Sequence, residues 1–350
     1  MGGGGAEPQL AYVVEGLVRR GWDVHVAVAF PGVNDARLES TGCRIHRLGA
    51  RGRFDPIIVL RLLALMWRVR PDLAHTWLMQ MDILAGMAAT VLGVPWIVSE
   101  RASAEAYPPS LLHRVRALVG RRATACIANS EGGRHYWTQV GIDAARIHVV
   151  PNVTPLQEID AAPAAARGKT DEALIVSVGR LSTQKNPLLL LDALAILLRR
   201  CPARAVLCGD GPLRAAIEAR AATLGIAERV TFAGFVPDVW SRLKAADVMV
   251  ALSPFEGRPN AVLEGMACGV PLVVSDIAAH REIVDETAAW LVGTDPTEVA
   301  AAIEAAIAAG RATERTRNAR ARVATLSVDN VVQRYEEVYH VWNLRARQRH

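Results

Sequence analysis

Apolar and polar positions along this chain switch between two periods. Short apolar, β-branched runs read as strands at 24–30 (VHVAVAF), 44–48, 73–76, 95–99, 124–128 and 147–150. Longer stretches with helical spacing lie between them. One of these, FDPIIVLRLLALMWRVRP, carries its own punctuation: Asp55 as N-cap, Pro56 at the first helical position and Pro71 just past the end. Residues 154–170 (TPLQEIDAAPAAARGKT) are rich in Ala and Pro and weakly periodic, so they read as a linker. The alternation then restarts, with strands at 173–178 (ALIVSV), 205–208, 229–233, 247–252, 271–275 and 288–292. A final amphipathic helix is predicted over 328–345 (VDNVVQRYEEVYHVWNLR).

Alternating β and α predicts parallel sheets with helices on both faces. Two such series predict two Rossmann-like domains, 1–153 and 171–326, joined by the linker, with 327–350 as a terminal helix. Ligands of open α/β sheets bind at the carboxyl ends of strands. The expected site is a cleft between the two domains.

Composition narrows the class. Of 350 residues, 51% are apolar, enough for full cores and too many for a disordered chain. No uncharged apolar run approaches a membrane span; the two richest are broken by Arg61 and Asp192. No signal-peptide pattern is present. Five cysteines without a Cys-x-x-Cys spacing suggest reduced thiols in a cytoplasmic chain and argue against structural zinc. Charge is uneven: residues 1–150 hold 17 Arg and 12 acids, net +5, whereas 151–350 hold 23 basic and 23 acidic residues. That excess fits either an arginine-rich composition or a first domain meeting anionic lipid, or an anionic acceptor, at the inner membrane surface. The basic amphipathic stretch LLHRVRALVGRR (111–122) suits such a surface, or packs its apolar face on the sheet. No aromatic-rich basic stripe occurs, so nucleic acid is set aside.

Candidate chemistry gathers behind the strands of the second half. Arg180 and Lys185 follow ALIVSV; Lys185 is one of three lysines against 37 arginines, which hints at a compact ammonium for a phosphate oxygen. Glycines 209 and 211 in VLCGDGPLR permit a tight turn. Gly234, Phe235 and Val236 end another strand, where backbone groups face either a base or an ordinary turn. The stretch EGRPNAVLE sets Glu256 before a loop and Glu264 inside a predicted helix with Pro259 at its first position. That helix start suits a diphosphate. Two carboxylates so placed suit a glycosidase pair, a metal site or a clamp on a sugar nucleotide. A glycosidase pair must flank one scissile bond from opposite sides, and two Glu on one loop-helix would need unusual geometry for that. A metal site wants clustered His or Asp, and the chain has no Asp-x-Asp.

The runs VSVGRLSTQKNPLLLLDAL, LCGDGPLR, VTFAGFVPD and SPFEGRPNAVLEGMACGVPLVVSD, in this order and spacing, resemble the C-terminal domain of retaining GT-B glycosyltransferases of family 4. Glu256 and Glu264 stand at that family's Glu-x7-Glu spacing. Weaker echoes (GGGGAE, RPDLAHTW, VPWIVSER, ARIHVVPN) extend the resemblance over nearly the whole chain. It implies a metal-independent retaining transfer from a nucleotide diphosphate-sugar, UDP-linked in preference to GDP-linked, to a glycan or lipid-linked acceptor, with no cofactor. Arg180 and Lys185 would hold the diphosphate, Glu264 the ribose and Glu256 the donor sugar. The backbone of Pro259, Asn260 and Ala261 would face the donor, and Gly234 to Val236 would border the base. Gly4, Gly5, His75, Glu100 and Arg101 are candidates for the acceptor side, His75 also fitting a core or rim position. Where the family often has a His, VPWIVSERAS offers Ser99, Glu100 and Arg101. His280-Arg281-Glu282 falls near the site in the family pattern. The terminal helix would cross back onto the first domain. A GT-B epimerase and a non-catalytic sugar-nucleotide binder are the alternatives. An NAD dehydrogenase is disfavoured, since GGGGAE has no strand before it and lacks the G-x-G-x-x-G register.

In the family a hydrophobic strand precedes the glycine-rich loop, whereas only Met1 precedes Gly2 here. The expectation is a first sheet lacking a central strand, in a chain whose true start lies about ten residues upstream.

Overall fold

A computed structural model describes residues 5–347 except 33–34, 51, 53, 103, 105–106, 108–109 and 168–171. The chain forms two compact units, 1–153 with 326–350, and 154–325.

The first unit runs α1 (Ala6–Arg19), β1 (His25–Val28), α2 (Asp35–Ser40), β2 (Arg44–Arg47), α3 (Ile57–Val69), β3 (Ala74–Thr76), α4 (Met79–Leu92), β4 (Trp96–Glu100), α5 (Leu111–Gly120), β5 (Ala125–Ala128), α6 (Glu131–Val140) and β6 (Ile147–Val149). The second runs α7 (Leu156–Ala161), β7 (Ala173–Val178), α8 (Pro187–Leu197), β8 (Ala203–Cys208), α9 (Arg214–Thr223), β9 (Val230–Gly234), α10 (Val239–Ala245), β10 (Val248–Ala251), α11 (Asn260–Ala267), β11 (Leu272–Ser275), α12 (Ala278–Arg281), β12 (Trp290–Val292), α13 (Pro296–Ala309) and α14 (Glu314–Val323). The last helix, α15 (Val328–Arg347), belongs to the first unit.

Each predicted strand is present, and all strand pairs are parallel. Parallel strands are covered on both faces, which is why they read as unbroken apolar runs. β4 and β5 are buried at every residue. Ser110, Ser130 and Asp295 cap α5, α6 and α13. At α3 the expectation shifts by one residue: Pro56 and not Asp55 is the N-cap and Ile57 the first helical residue, while Asp55 accepts from the Ile57 N–H (3.0 Å).

The first unit's strands do not form one sheet. β1 pairs only with β2, while β3-β4-β5-β6 form a separate four-stranded sheet, and among the described residues no strand joins them. α15 lays Tyr335, Tyr339 and Trp342 into this unit and packs Val332 against Gly16 of α1, where a Cβ would lie 2.5 Å from Val332 Cγ2. Gln9 of α1 clamps the Val153 backbone through both its amide groups (2.7 and 2.9 Å).

The second unit's sheet has the order β12-β11-β10-β7-β8-β9. This is a doubly wound sheet, with its topological switch point between β7 and β10.

Two further expectations need correction. Within 154–170 the described residues include a helix, α7, whose Ile159 is fully buried, with Asp160 bound by Arg320 (2.6 Å) and Lys244 (3.0 Å). Leu156 and Ile159, one turn apart, give this stretch an apolar edge that its Ala/Pro content obscures. Pro259 is the N-cap of α11, not its first helical residue: its ψ of 97° is extended, and its carbonyl accepts from Val262 and Leu263 (3.1 and 3.2 Å).

Candidate active site

A pocket opens at the switch point of the second sheet. Ser177, Val178 and Gly179 from the end of β7 line one side, and Ala251, Leu252 and Ser253 from β10 the other. Lys185, Glu256, Pro259, Ala261 and His280 complete the wall. Backbone closeness sets this floor. Gly209, with φ +141°, donates to the Gly234 carbonyl (2.7 Å), and a Cβ there would lie 2.0 Å from the Gly179 oxygen. Only glycine fits, so the turns after β7, β8 and β9 close on one another.

Glu256 is buried and shared by three donors. Lys185 Nζ and Ser253 Oγ (2.8 Å) meet its Oε1, and Gln184 Nε2 (3.2 Å) meets its Oε2. Lys185 reaches it from a short turn that Asn186 ends in the left-handed region (φ 48°), which Asn tolerates better than most residues. Ser253 is tied onward: its carbonyl accepts from Ser275 Oγ of β11. Glu264 lies just over one turn into α11, outside the pocket lining; burial pushes its carboxyl up to about 7, with the Trp240 indole pulling the other way. Arg180 is exposed beside the pocket, and Phe235 is exposed at the end of β9. Asn260 opens α11, and Gly234 and Val236 flank Phe235. Among the described residues no group of three or more His, Cys, Asp or Glu is placed to hold a metal ion.

The residues expected on the acceptor side behave differently. Gly4 lies outside the described residues, and Gly5 is the N-cap of α1. Glu100 is fully buried and accepts five hydrogen bonds, from the Arg101 and Ala102 N–H groups, the Tyr107 hydroxyl, Arg116 Nη1 and Trp137 Nε1 (2.6–3.0 Å). Its acceptor positions are used up; Glu100 is a core residue and not part of an acceptor surface. Arg116 bridges it to Asp82 (2.8 Å), itself held by Thr76 (2.7 Å). Burial pushes the Asp82 carboxyl up to about 6, aided by Glu100 and opposed by Arg116. His75 spends both ring nitrogens, on Tyr339 Oη and Ser99 Oγ (2.7 Å each), and burial drives it down to about 3. Arg101 stacks over Trp77 (4.2 Å) and donates to Tyr335 (3.2 Å).

Sequence reasoning missed Gln184, Ser253 and the Asp82–Arg116–Glu100 network. Ser253 had a readable signal, standing one turn before Glu256. Arg116 had none, because one Arg among several in a basic amphipathic stretch reads as solvated.

Residues 159–323 match the family described as glycosyl transferases group 1, and residues 4–153 a glycosyl transferase 4-like domain. The chain is 28% identical over 247 residues to the UDP-Gal:alpha-D-GlcNAc-diphosphoundecaprenol alpha-1,3-galactosyltransferase of Escherichia coli, covering 65% of this chain and 63% of that one. It is 39% identical over 136 residues to a GDP-mannose-dependent alpha-(1-6)-phosphatidylinositol dimannoside mannosyltransferase of Mycobacterium tuberculosis, covering 38% and 35%. The chain thus spans less than two thirds of these relatives' length. Its fold is shared with Anabaena HepE in complex with UDP-glucose (TM-score 0.84, 22% identity, 97% of this chain and 96% of that chain). It is also shared with sucrose-phosphate synthase of Thermosynechococcus elongatus (TM-score 0.79, 22% identity, 96% and 93%). With two Rossmann-like units, each matched by a glycosyl transferase family, the chain belongs to the GT-B glycosyltransferases of the family-4 type.

Proposed function

We propose that this chain transfers a hexosyl group from a nucleoside diphosphate sugar, UDP-linked by preference, to a glycan or lipid-linked acceptor, with retention and without a metal ion. The observation that carries the reading is the meeting of Lys185, Glu256 and the N-terminal end of α11 at the switch point of a doubly wound sheet. As the glycosidic C–O bond breaks, negative charge grows on the β-phosphate and positive charge on the sugar ring. Lys185, the exposed Arg180 and the α11 dipole stabilise the leaving diphosphate. Glu256 accepts from hydroxyls of the donor sugar and Glu264 from the ribose diol, while Gly234 to Val236 border the base and the Pro259–Ala261 backbone faces the donor. Glu256 is a poor covalent nucleophile, since Oε1 is already shared by Lys185 and Ser253. Attack on the front face, with the leaving phosphate taking the acceptor's proton, fits this arrangement. The UDP preference draws on UDP-Gal in the name of the Escherichia coli relative and UDP-glucose in the HepE complex; the mycobacterial relative's GDP-mannose is the competing donor.

The acceptor reading has its own support. Both relatives' names carry a lipid-linked acceptor, diphosphoundecaprenol in one and phosphatidylinositol dimannoside in the other. In the first unit α4 packs against both α3 and α5. Trp67 and Leu60 of α3 and Leu111 and Leu118 of α5 are exposed, Trp67 by 70% and Leu111 by 75%. Arg68 and Arg114 are exposed with them, and the only acid in the three helices is the buried Asp82. Exposed apolar side chains with basic neighbours on these helices suit the surface of an anionic bilayer. Among the described residues no helix is long and apolar enough to cross a membrane.

A thermal-shift screen against UDP- and GDP-sugars tests the donor: a ligand at 100 times its Kd stabilises by about 2.7 kcal/mol. No shift with any sugar nucleotide would overturn the reading. Donor hydrolysis without acceptor separates an enzyme from a binder.

A further inference from the structure

One polar group in the pocket has no role in this reading: the imidazole of His280. It stands on α12, just after β11, and is 0% exposed. Its Nδ1 lies 2.7 Å from the Ser275 carbonyl oxygen and 3.1 Å from Ser275 Oγ. A carbonyl only accepts, so Nδ1 carries the hydrogen. Ser275 Oγ spends its own hydrogen on the Ser253 carbonyl, which agrees with this tautomer. Burial holds the ring below its ordinary pKa, against the pull of the Ser275 bond and Glu256, and keeps it neutral. Nε2 is then a lone-pair acceptor, and it is buried without a hydrogen-bond partner among the described residues. Buried acceptors are nearly always satisfied, so an unused one lining a pocket points to a ligand.

We propose that His280 Nε2 accepts a hydrogen bond from a hydroxyl of the transferred sugar and is a specificity-determining residue of the donor pocket. The assignment rests on the nucleotide-sugar reading. The pocket then presents two acceptors on one frame, the Glu256 carboxylate and His280 Nε2, joined through Ser253 and Ser275. It selects pyranoses that offer two hydroxyl donors and rejects those lacking one, because a polar site left unpaired discriminates strongly.

Two substitutions separate the ring's two edges. His280→Asn keeps a donor for the Ser275 carbonyl and deletes Nε2. His280→Gln places an amide near Nε2 and gives up the Ser275 bond. Free UDP and GDP are titrated by calorimetry, and kinetics are run with UDP-glucose, UDP-galactose and GDP-mannose. The expected result is that His280→Asn holds free-nucleotide affinity within about two-fold while kcat/KM for the preferred donor falls by about 10–100-fold, and that His280→Gln recovers much of the loss. The reverse order, active Asn and impaired Gln, would make His280 a structural prop for β11 and overturn the assignment. Two unimpaired variants, or losses matched by equal losses in free-nucleotide affinity, would overturn it as well. A wild-type chain that binds neither UDP nor GDP would remove the nucleotide-sugar reading, and this assignment with it.

Discussion

Lys185 and Glu256 form an ion pair in the pocket. The cation proposed for the diphosphate and the carboxylate proposed for the sugar therefore hold each other in place. Neither charge is buried alone, and the two loops that carry them are set in place beforehand.

Lys185→Ala is expected to lower turnover by about 100-fold or more, the scale for losing one preorganised charge contact. Glu256→Ala should cut turnover while sparing affinity for free UDP or GDP. Steady-state kinetics and calorimetry check the pair. EDTA should leave wild-type activity intact; loss on chelation with recovery in Mg²⁺ would refute the metal-free mechanism.

Glu264 gives a pH signature. Burial raises its carboxyl to about 7, and a ribose diol donates best to the ionised form. Nucleotide affinity should rise with pH between about 6 and 8, with proton release on binding. Glu264→Gln should flatten that dependence, and Glu264→Ala should weaken free-nucleotide binding by about 1–3 kcal/mol. The stability sign is opposite. A carboxyl whose folded pKa lies above its ordinary value stabilises the fold below that ordinary value and loses the contribution as pH rises through about 7. Melting temperatures at pH 6 and 8 should show Glu264→Gln gaining on wild type at the higher pH.

The buried Asp82–Arg116–Glu100 network predicts a defect of stability and not of chemistry. Arg116→Ala strands two carboxylates in the core and should cost about 3–5 kcal/mol in urea denaturation. Glu100→Gln should lower the melting temperature while leaving acceptor KM unchanged. An acceptor-specific rise in KM without loss of stability would return Glu100 to the acceptor side.

The outer face of α3 and α5 is expected to bind vesicles containing anionic lipid and to release them in high salt. Trp67→Ser with Leu111→Ser should reduce co-sedimentation several-fold at unchanged melting temperature. Equal binding to neutral vesicles, or none by wild type, counts against a membrane-facing role.

The sequence showed every strand, because a buried parallel strand leaves a β-branched run between turn residues. It also showed that Lys185 and Glu256 each follow a strand, though not that the two strands are neighbours at the switch point. It did not show that the two residues pair, which depends on how two loops close. Partners distant along the chain were invisible. Glu100 meets Arg116 from a neighbouring helix, and His75 meets Tyr339 264 residues away. The α15 stripe of Tyr335, Tyr339 and Trp342 was readable as a buried face, but nothing in it named His75 as its neighbour.

The division of the first unit's strands has a consequence for motion. Among the described residues β1 and β2 share a ladder only with each other; Val26 and Val28 bury into a small cluster with Ala11, Val14 and Leu38, while Ala27 alone of β1 packs on the larger cluster that covers β4 and β5. Proteins open along such seams as cooperative pieces, each with its own free energy. Amide protons of Val26 and Val28 should therefore exchange with solvent through a partial opening that leaves Ile97 and Ile127 protected. Exchange across the β1–β2 ladder should run ahead of exchange in the four-stranded sheet.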